Sequence, residues 1–184
     1  MSKEVWKSFE ENQITHSAAH YLMTIHALIL EQGYARVTDI AKRLNITRGS
    51  CSISLRPLKK RQLVLEDDNK FLQLSDEGKR LAELVERNDE LLEALFRDVL
   101  GVDADQAEID ACKVEHLLSI ETSVKLSNFI QLIQTDKAVV RNFLKELSRQ
   151  STDCSHNVEE CDFCQSVCFF EKAAKKQAKK KAIA

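Results

Sequence analysis

"VTDIAKRLNITRGSCSISLRPLKKRQLVLEDDNKFLQLS", residues 37–75, decides how this chain folds. Its first part, "VTDIAKRLN" (37–45), opens with Thr38 as a helix N-cap and puts Ile40, Ala41 and Leu44 on one helical face. After a short turn, "ITRGSCSISLRPLKKRQ" (46–62) supplies a second helix rich in Ser and Arg. Two short helices joined this tightly make a helix-turn-helix. The remainder, "LVLEDDNKFLQLS" (63–75), has two alternating stretches around "DDNK", which is the turn chemistry of a hairpin. A helix-turn-helix followed by a hairpin is a winged helix. Pro57 interrupts the pattern. Inside a helix it removes one backbone hydrogen bond and crowds the carbonyl of Ile53, at a cost of roughly 3 kcal/mol, so the third helix is expected to kink there or to stop and restart.

Upstream, "SAAHYLMTIHALILEQG" (17–33) places Tyr21, Leu22, Ile25, Leu28 and Ile29 at helical spacing, with Gly33 as the stop. Downstream, "SDEGKRLAELVERNDELLEALFRDVLG" (75–101) reads as a long amphipathic helix with Ser75 as N-cap and Gly101 at its end. Its stripe is Leu81, Leu84, Val85, Leu91, Leu92 and Leu95. "DADQAEIDACKVEHLLS" and "IETSVKLSNFIQLIQ" give two further helices, and a fourth runs from about 136 to 149. The expected fold is mainly α: an N-terminal winged helix-turn-helix with a small β-hairpin wing (1–75), then an all-helical dimerisation and metal-sensing domain (76–150). Residues 151–184 form a Cys-rich tail with a Lys-rich end.

The 184 residues are 43% hydrophobic and 30% charged, the balance of a globular chain. No apolar run approaches the length of a spanning helix, and "MSKEVWKSFEENQ" has no apolar signal region, so a cytoplasmic protein with no membrane partner is expected. In that compartment the six cysteines read as thiols or metal ligands rather than disulfides. A net charge of −2 hides strong segregation: residues 36–62 carry +7, residues 75–121 carry −9, and the last fourteen carry +5. Such polarity suits a basic surface for a polyanion and an acidic region able to hold cations. The motifs of hydrolytic and nucleotide-using enzymes are absent, with no H-E-x-x-H, P-loop or G-x-S-x-G. Neither enzymatic activity nor a small organic substrate is expected.

Within "DACKVEHLLS" (110–119), Cys112, Glu115 and His116 stand at i, i+3 and i+4 on one helical face, with Glu108 one turn earlier. Thiolate, carboxylate and imidazole together suit Fe(II), Ni(II), Co(II) or Zn(II), whereas a shell of oxygen and nitrogen alone would better suit Mn(II). For DNA, Arg48, Ser50, Ser52 and Ser54 lie at or near the start of the third helix, suited to phosphates and base edges. Arg56, Lys59, Lys60 and Arg61 add charge, and Asn69 and Lys70 sit at the wing tip. Cys51 is expected to pack inward as a small core thiol. In the tail, Cys154, Cys161, Cys164 and Cys168 have the spacing C-x6-C-x2-C-x3-C, able to hold Zn(II) or an iron–sulfur cluster. The tail lysines would add nonspecific DNA affinity.

"SAAHYLMTIHAL", "VTDIAKRLN", "GSCSISLRPLKKRQLV", "LSDEGKRLAELV" and "DACKVEHLLS" occur in the order and spacing of the diphtheria toxin repressor family, which the chain resembles over about 17–133. The shorter, two-domain branch is the nearer likeness, because the chain has no room for the third domain of longer members. The resemblance implies a metal-activated, homodimeric transcriptional repressor of iron or manganese homeostasis that binds a pseudo-palindromic double-stranded DNA operator. It also implies a primary metal site of His20, Cys112, Glu115 and His116, and an ancillary site of Asp89, Glu93 and Glu108. Fe(II) is the favoured ion, with Mn(II) or Zn(II) as others. Metal would bridge the first helix and the dimer domain and so set the DNA-binding geometry. The competing reading is a redox or iron–sulfur sensing winged-helix regulator that uses the tail cysteines.

Overall fold

The structure, a computed structural model of the chain, describes residues 14–149. Its elements in order are α1 (His16–Gln32), α2 (Val37–Arg43), α3 (Arg48–Lys60), β1 (Val64–Glu66), β2 (Leu72–Leu74) and α4 (Asp76–Ala94). A π-helical turn (Leu95–Val99), α5 (Ala104–Val114), a 3-10 turn (Glu115–Leu117), α6 (Ile120–Ile133) and α7 (Ala138–Arg149) follow. The fold is thus mostly helical: a winged helix-turn-helix with a two-stranded wing, then helices. The elements up to α6 belong to one compact unit that ends at Val140.

The caps explain where the helices begin and end. Thr15 Oγ1 accepts from the Ala18 N–H at 3.3 Å at the start of α1, and Gly33 ends it with φ at 82° and its N–H on the Ile29 carbonyl. The Thr47 hydroxyl caps α3 by accepting from the Ser50 N–H at 3.1 Å, and Ser75 caps α4 by accepting from the Gly78 N–H at 3.1 Å. The start of α2 differs from expectation. Thr38 is inside the helix, and the capping position falls on Arg36, which makes no side-chain cap. Ala35 pairs with Leu72 as an isolated bridge, so the backbone stays extended through Arg36 and the helix begins at once afterwards.

Pro57 neither stops nor splits α3, which runs unbroken from Arg48 to Lys60. The carbonyl that loses its hydrogen bond belongs to Ile53, a residue 59% exposed, where water can serve in place of the missing N–H. The inward face of α3 is Cys51, Leu55 and Leu58, so the core thiol expected at Cys51 is found.

The wing pairs Val64 with Leu74, Leu65 with Gln73 and Glu66 with Leu72 in antiparallel register. "DDNK" makes the turn: Asp67 Oδ1 accepts from the Phe71 N–H at 2.8 Å, and Lys70 takes a positive φ of 66°. Tyr21, Leu22, Ile25 and Leu28 of α1, Ile40 of α2, Leu55 and Leu58 of α3, and Leu63, Val64 and Leu72 of the wing share one core with Ala82 and Val85 of α4. Helix α1 packs along α4, and α4 also receives α5, the 3-10 turn and α6. Gly78 makes the join close. A Cβ there would stand 2.1 Å from the Leu63 carbonyl oxygen, so only glycine lets the first turn of α4 lie on the wing backbone.

Helix α4 is shorter than the expected 75–101 span, because its last turn widens into the π-helical segment before Gly101 ends it at φ 71°. Its buried side is Ala82, Val85, Asn88, Leu91, Leu92 and Ala94. Asn88 is the polar member of that side, and its role appears at the site.

Candidate metal centre and DNA-reading surface

Helix α5 ends at Val114, and Glu115–Leu117 tighten into a 3-10 turn. The three motif residues therefore do not share one continuous α-helical face as their spacing predicts. Cys112 remains on the helix, while Glu115 and His116 are turned by the tighter winding. Asn88 of α4 holds this turn in place, since its Nδ2–H donates to the Glu115 carbonyl at 2.8 Å.

The result is convergence. Cys112 Sγ lies 3.2 Å from His20 Nε2, and His20 Nε2 lies 3.8 Å from Glu115 Oε1. One donor atom from each of His16, His20, Cys112 and Glu115 falls within 4.8 Å of the other three. His20, Cys112 and Glu115 were expected at such a site; His16 was not singled out. The signal for it was present, because His16 and His20 stand at i and i+4 on one helix. His116 is not among the four. Its Nδ1 is buried without a hydrogen-bond partner, and its ring centroid is 5.2 Å from that of His16.

Electrostatics make the pocket acceptor-rich and short of positive charge. Glu115 is 1% exposed, and its Oε1 has no hydrogen-bond partner. Burial and then the Asp89 carboxylate, which also shares a hydrogen bond with it, push its carboxyl up to about 8. Asp89 is itself raised, first by burial and then by Glu93, Glu108 and Glu90. Burial raises the Cys112 thiol too, with Glu115, Asp89 and Glu108 adding to it. Burial lowers His20, assisted by His16 and His116, so its imidazole keeps a free lone pair at neutral pH. A buried orphan carboxylate oxygen beside a thiol and two imidazoles is a donor set that fits a divalent transition ion.

The residues expected at an ancillary site are near one another but differently engaged. Asp89 turns to Glu115, and Glu93 is bonded by Arg97. Glu93 and Glu108 both help to raise Asp89, and none of the three joins the converging group. Cys154, Cys161, Cys164 and Cys168 lie outside the described residues.

On α3, Arg48, Ser50, Ser52, Arg56 and Lys60 are exposed, whereas Ser54 and Lys59 are half-buried. Ser50 works in the helix cap, its Oγ 2.9 Å from Thr47 Oγ1, and Lys59 is ion-paired with Glu66 of the wing. Arg48, Gly49 and Ser52 line a groove with Thr38, Asn69 and Lys70, so helix start and wing tip face one space. Arg36 lines it as well, its guanidinium 4.2 Å from the Phe71 ring centroid. Nothing in the helical spacing pointed to Arg36, which is placed by the bridge between Ala35 and Leu72.

A winged helix whose first helix meets a thiol and a carboxylate of the following helical part joins a DNA-binding fold to a candidate metal site. The chain belongs to the iron-dependent repressor family. Residues 13–70 match the iron dependent repressor N-terminal DNA binding domain, and residues 75–141 match the iron dependent repressor metal binding and dimerisation domain. Among solved structures, the manganese regulator SloR is 25% identical, with 61% of this chain and 53% of that chain covered and a TM-score of 0.55. A manganese-dependent transcriptional repressor in complex with manganese is 27% identical, with 64% and 55% covered and a TM-score of 0.52. IdeR of T. acidophilum, 24% identical with 68% and 56% covered and a TM-score of 0.52, shares the fold. The chain spans about half the length of these solved proteins. These likenesses favour metal-dependent regulation over a redox or iron–sulfur sensor built on the tail. Among the described residues no helix is long and apolar enough to cross a membrane.

Proposed function

We propose that the protein is a cytoplasmic homodimeric repressor of iron or manganese homeostasis that binds operator DNA when a divalent transition metal, Fe(II) foremost, occupies this site. The observation that carries the reading is the meeting of His20, on the helix that opens the DNA-binding part, with Cys112 and Glu115 of the following part. Residues 1–75 serve as the DNA-binding domain, 76–150 as the sensing and dimerisation domain, and 151–184 as a tail whose four cysteines supply a second, zinc or iron–sulfur site.

A bound ion supplies positive charge and directional bonds to the donors. His20 ties α1 to the end of α5 through them, and Asn88 keeps the Glu115 turn on α4. Without a cation, Glu115 keeps its proton and shares it with Asp89 in a hydrogen bond, and α1 lacks that tie. Tethering α1 fixes where α3 stands on each protomer, and a dimer on a pseudo-palindrome needs recognition helices about 34–36 Å apart. The ligand shifts the equilibrium only by preferring the DNA-competent arrangement. Exposed apolar side chains at Leu100, Ile109, Leu117, Ile120 and Val124, on and beside α5 and α6, support a dimer face in the second part.

The test is anaerobic fluorescence anisotropy on DNA from the protein's own promoter region at fixed salt, with Fe(II), Mn(II) and Zn(II) added in turn. Tight binding that needs metal supports the reading. Equal binding in chelator overturns it.

A further inference from the structure

Arg43, Arg87 and Arg97 are each held by a carboxylate, those of Glu31, Glu90 and Glu93 in turn. Arg36 is held by aromatic rings instead. Its guanidinium carbon stands over Phe71, 4.2 Å from the ring centroid, and 6.0 Å from the centroid of Tyr34. We infer that Arg36, steadied by Phe71 of the wing, binds a phosphate of the DNA backbone. The inference rests on the DNA-binding reading above and deepens it by naming a contact outside the recognition helix and the chemistry it meets.

Placement comes first. Arg36 lines one groove with Arg48 and Ser52 at the start of α3 and with Asn69 and Lys70 at the wing tip, so it lies on the side of the recognition helix. In a helix-turn-helix the second helix enters the major groove while the first crosses the backbone. Arg36 immediately precedes that first helix, α2, and so stands where phosphates run rather than where base edges are read. The bridge between Ala35 and Leu72 fixes the neighbouring backbone, with the Leu72 N–H donating to the Ala35 carbonyl at 2.8 Å.

The chemistry follows from the stack. A ring engages the face of a guanidinium and leaves its N–H edge, whose donors match two phosphate oxygens at once. The acid in the groove, Glu66, is already tied to Lys59 and to Lys70, and among the described residues no carboxylate is paired with Arg36. Local structure makes no demand on the side chain either, because Arg36 is exposed and caps nothing on α2. Phe71 is met edge to face by Tyr34, at 5.5 Å and 74°, which holds the ring that holds the arginine. A side chain ordered in advance loses less freedom when the phosphate arrives.

The experiment is fluorescence anisotropy of the full chain at four salt concentrations, with whichever of Fe(II), Mn(II) and Zn(II) supports binding of the unsubstituted chain. Two duplexes are used, one from the protein's own promoter region and one of unrelated sequence. The variants are Arg36→Ala, Arg36→Lys, Phe71→Leu and the double variant Arg36→Ala/Phe71→Leu. Arg36→Ala is expected to weaken both duplexes by roughly tenfold and to lower the slope of log K against log salt by about 0.9 for each protomer engaged. Arg36→Lys should restore the slope but only part of the affinity, since the charge returns without the planar fork. Phe71→Leu should weaken binding when Arg36 is present and add nothing in the Arg36→Ala background, because the ring acts through the arginine. Unchanged slope and affinity in Arg36→Ala overturn the inference, and so does a loss confined to the promoter duplex, which would make Arg36 a base reader. An equal loss from Phe71→Leu in both backgrounds overturns the positioning role of the ring. An unsubstituted chain that binds neither duplex with any of the three metals overturns the DNA-binding reading itself.

Discussion

Cys112 Sγ and His20 Nε2 lie 3.2 Å apart although 92 residues separate them in sequence. One belongs to the helix that starts the winged helix, the other to the last turn of α5. A ligand shared by the two closes a long loop, and closing it adds stability only in the folded chain.

Divalent metal is therefore expected to raise the melting temperature of the chain. At a free concentration a hundred times the Kd, the stabilisation is about 2.7 kcal/mol, or roughly 5–10 °C for a protein of this size. His20→Ala and Cys112→Ala should each remove most of that shift while leaving the metal-free melt nearly in place. Differential scanning calorimetry with Zn(II) and with chelator reads both quantities. A shift retained in both variants would place the metal elsewhere in the chain.

The metal-free protein should lose stability as pH rises. The Glu115 carboxyl stands at about 8 in the fold, raised by burial and by Asp89, against 4.5 in an open chain. A group raised in the folded state contributes stability that is complete below its open-chain value and is lost as pH rises through its folded value. Urea midpoints measured in chelator should accordingly fall between about pH 5 and about pH 8. Glu115→Gln should flatten that fall, because the amide has no proton to lose. An equal fall in the variant would assign the pH dependence to other groups.

Gly78→Ala should destabilise the protein by roughly 1–3 kcal/mol, since its Cβ meets the Leu63 carbonyl oxygen at 2.1 Å and both partners are backbone-bound. Gly49→Ala is the control. Its Cβ has the Thr47 hydroxyl 3.9 Å away as nearest atom, and alanine gains about 0.5–1 kcal/mol in a helix. Chemical denaturation of the two variants should give opposite signs.

Arg56 and Lys59 should behave differently on DNA despite their proximity on α3. Lys59 is already neutralised by Glu66 of the wing, while Arg56 is exposed. If Arg56 meets a phosphate, Arg56→Ala weakens binding across sequences and lowers the slope of log K against log salt by about 1. Lys59→Ala should leave that slope almost unchanged. Anisotropy at four salt concentrations measures it.

Part of this was legible in the chain itself. Helical periodicity marked α1 and α4, Ser75 and Gly33 marked their ends, and "DDNK" marked the wing turn, because each is a local event decided within a few residues. The spacing of Cys112 and Glu115 and the place of His20 were legible through a family pattern. The break of α5 at Val114 was not, since it depends on Asn88 reaching the Glu115 carbonyl from another helix. Nor was the continuity of α3 through Pro57, which depends on the exposure of Ile53.

What the sequence by itself determined is the order and type of the elements and the supply of donors: a helix-turn-helix, a hairpin, a helical second part, and thiols, carboxylates and imidazoles at helical intervals. The tertiary structure alone decided which donors meet. The packing of α1 along α4 and the tight turn after Val114 bring His16 to Cys112 and Glu115 while His116 stays outside the converging four. Spacing along one helix sets only which side chains share a face; a site drawn from two helices depends on where the core places their axes.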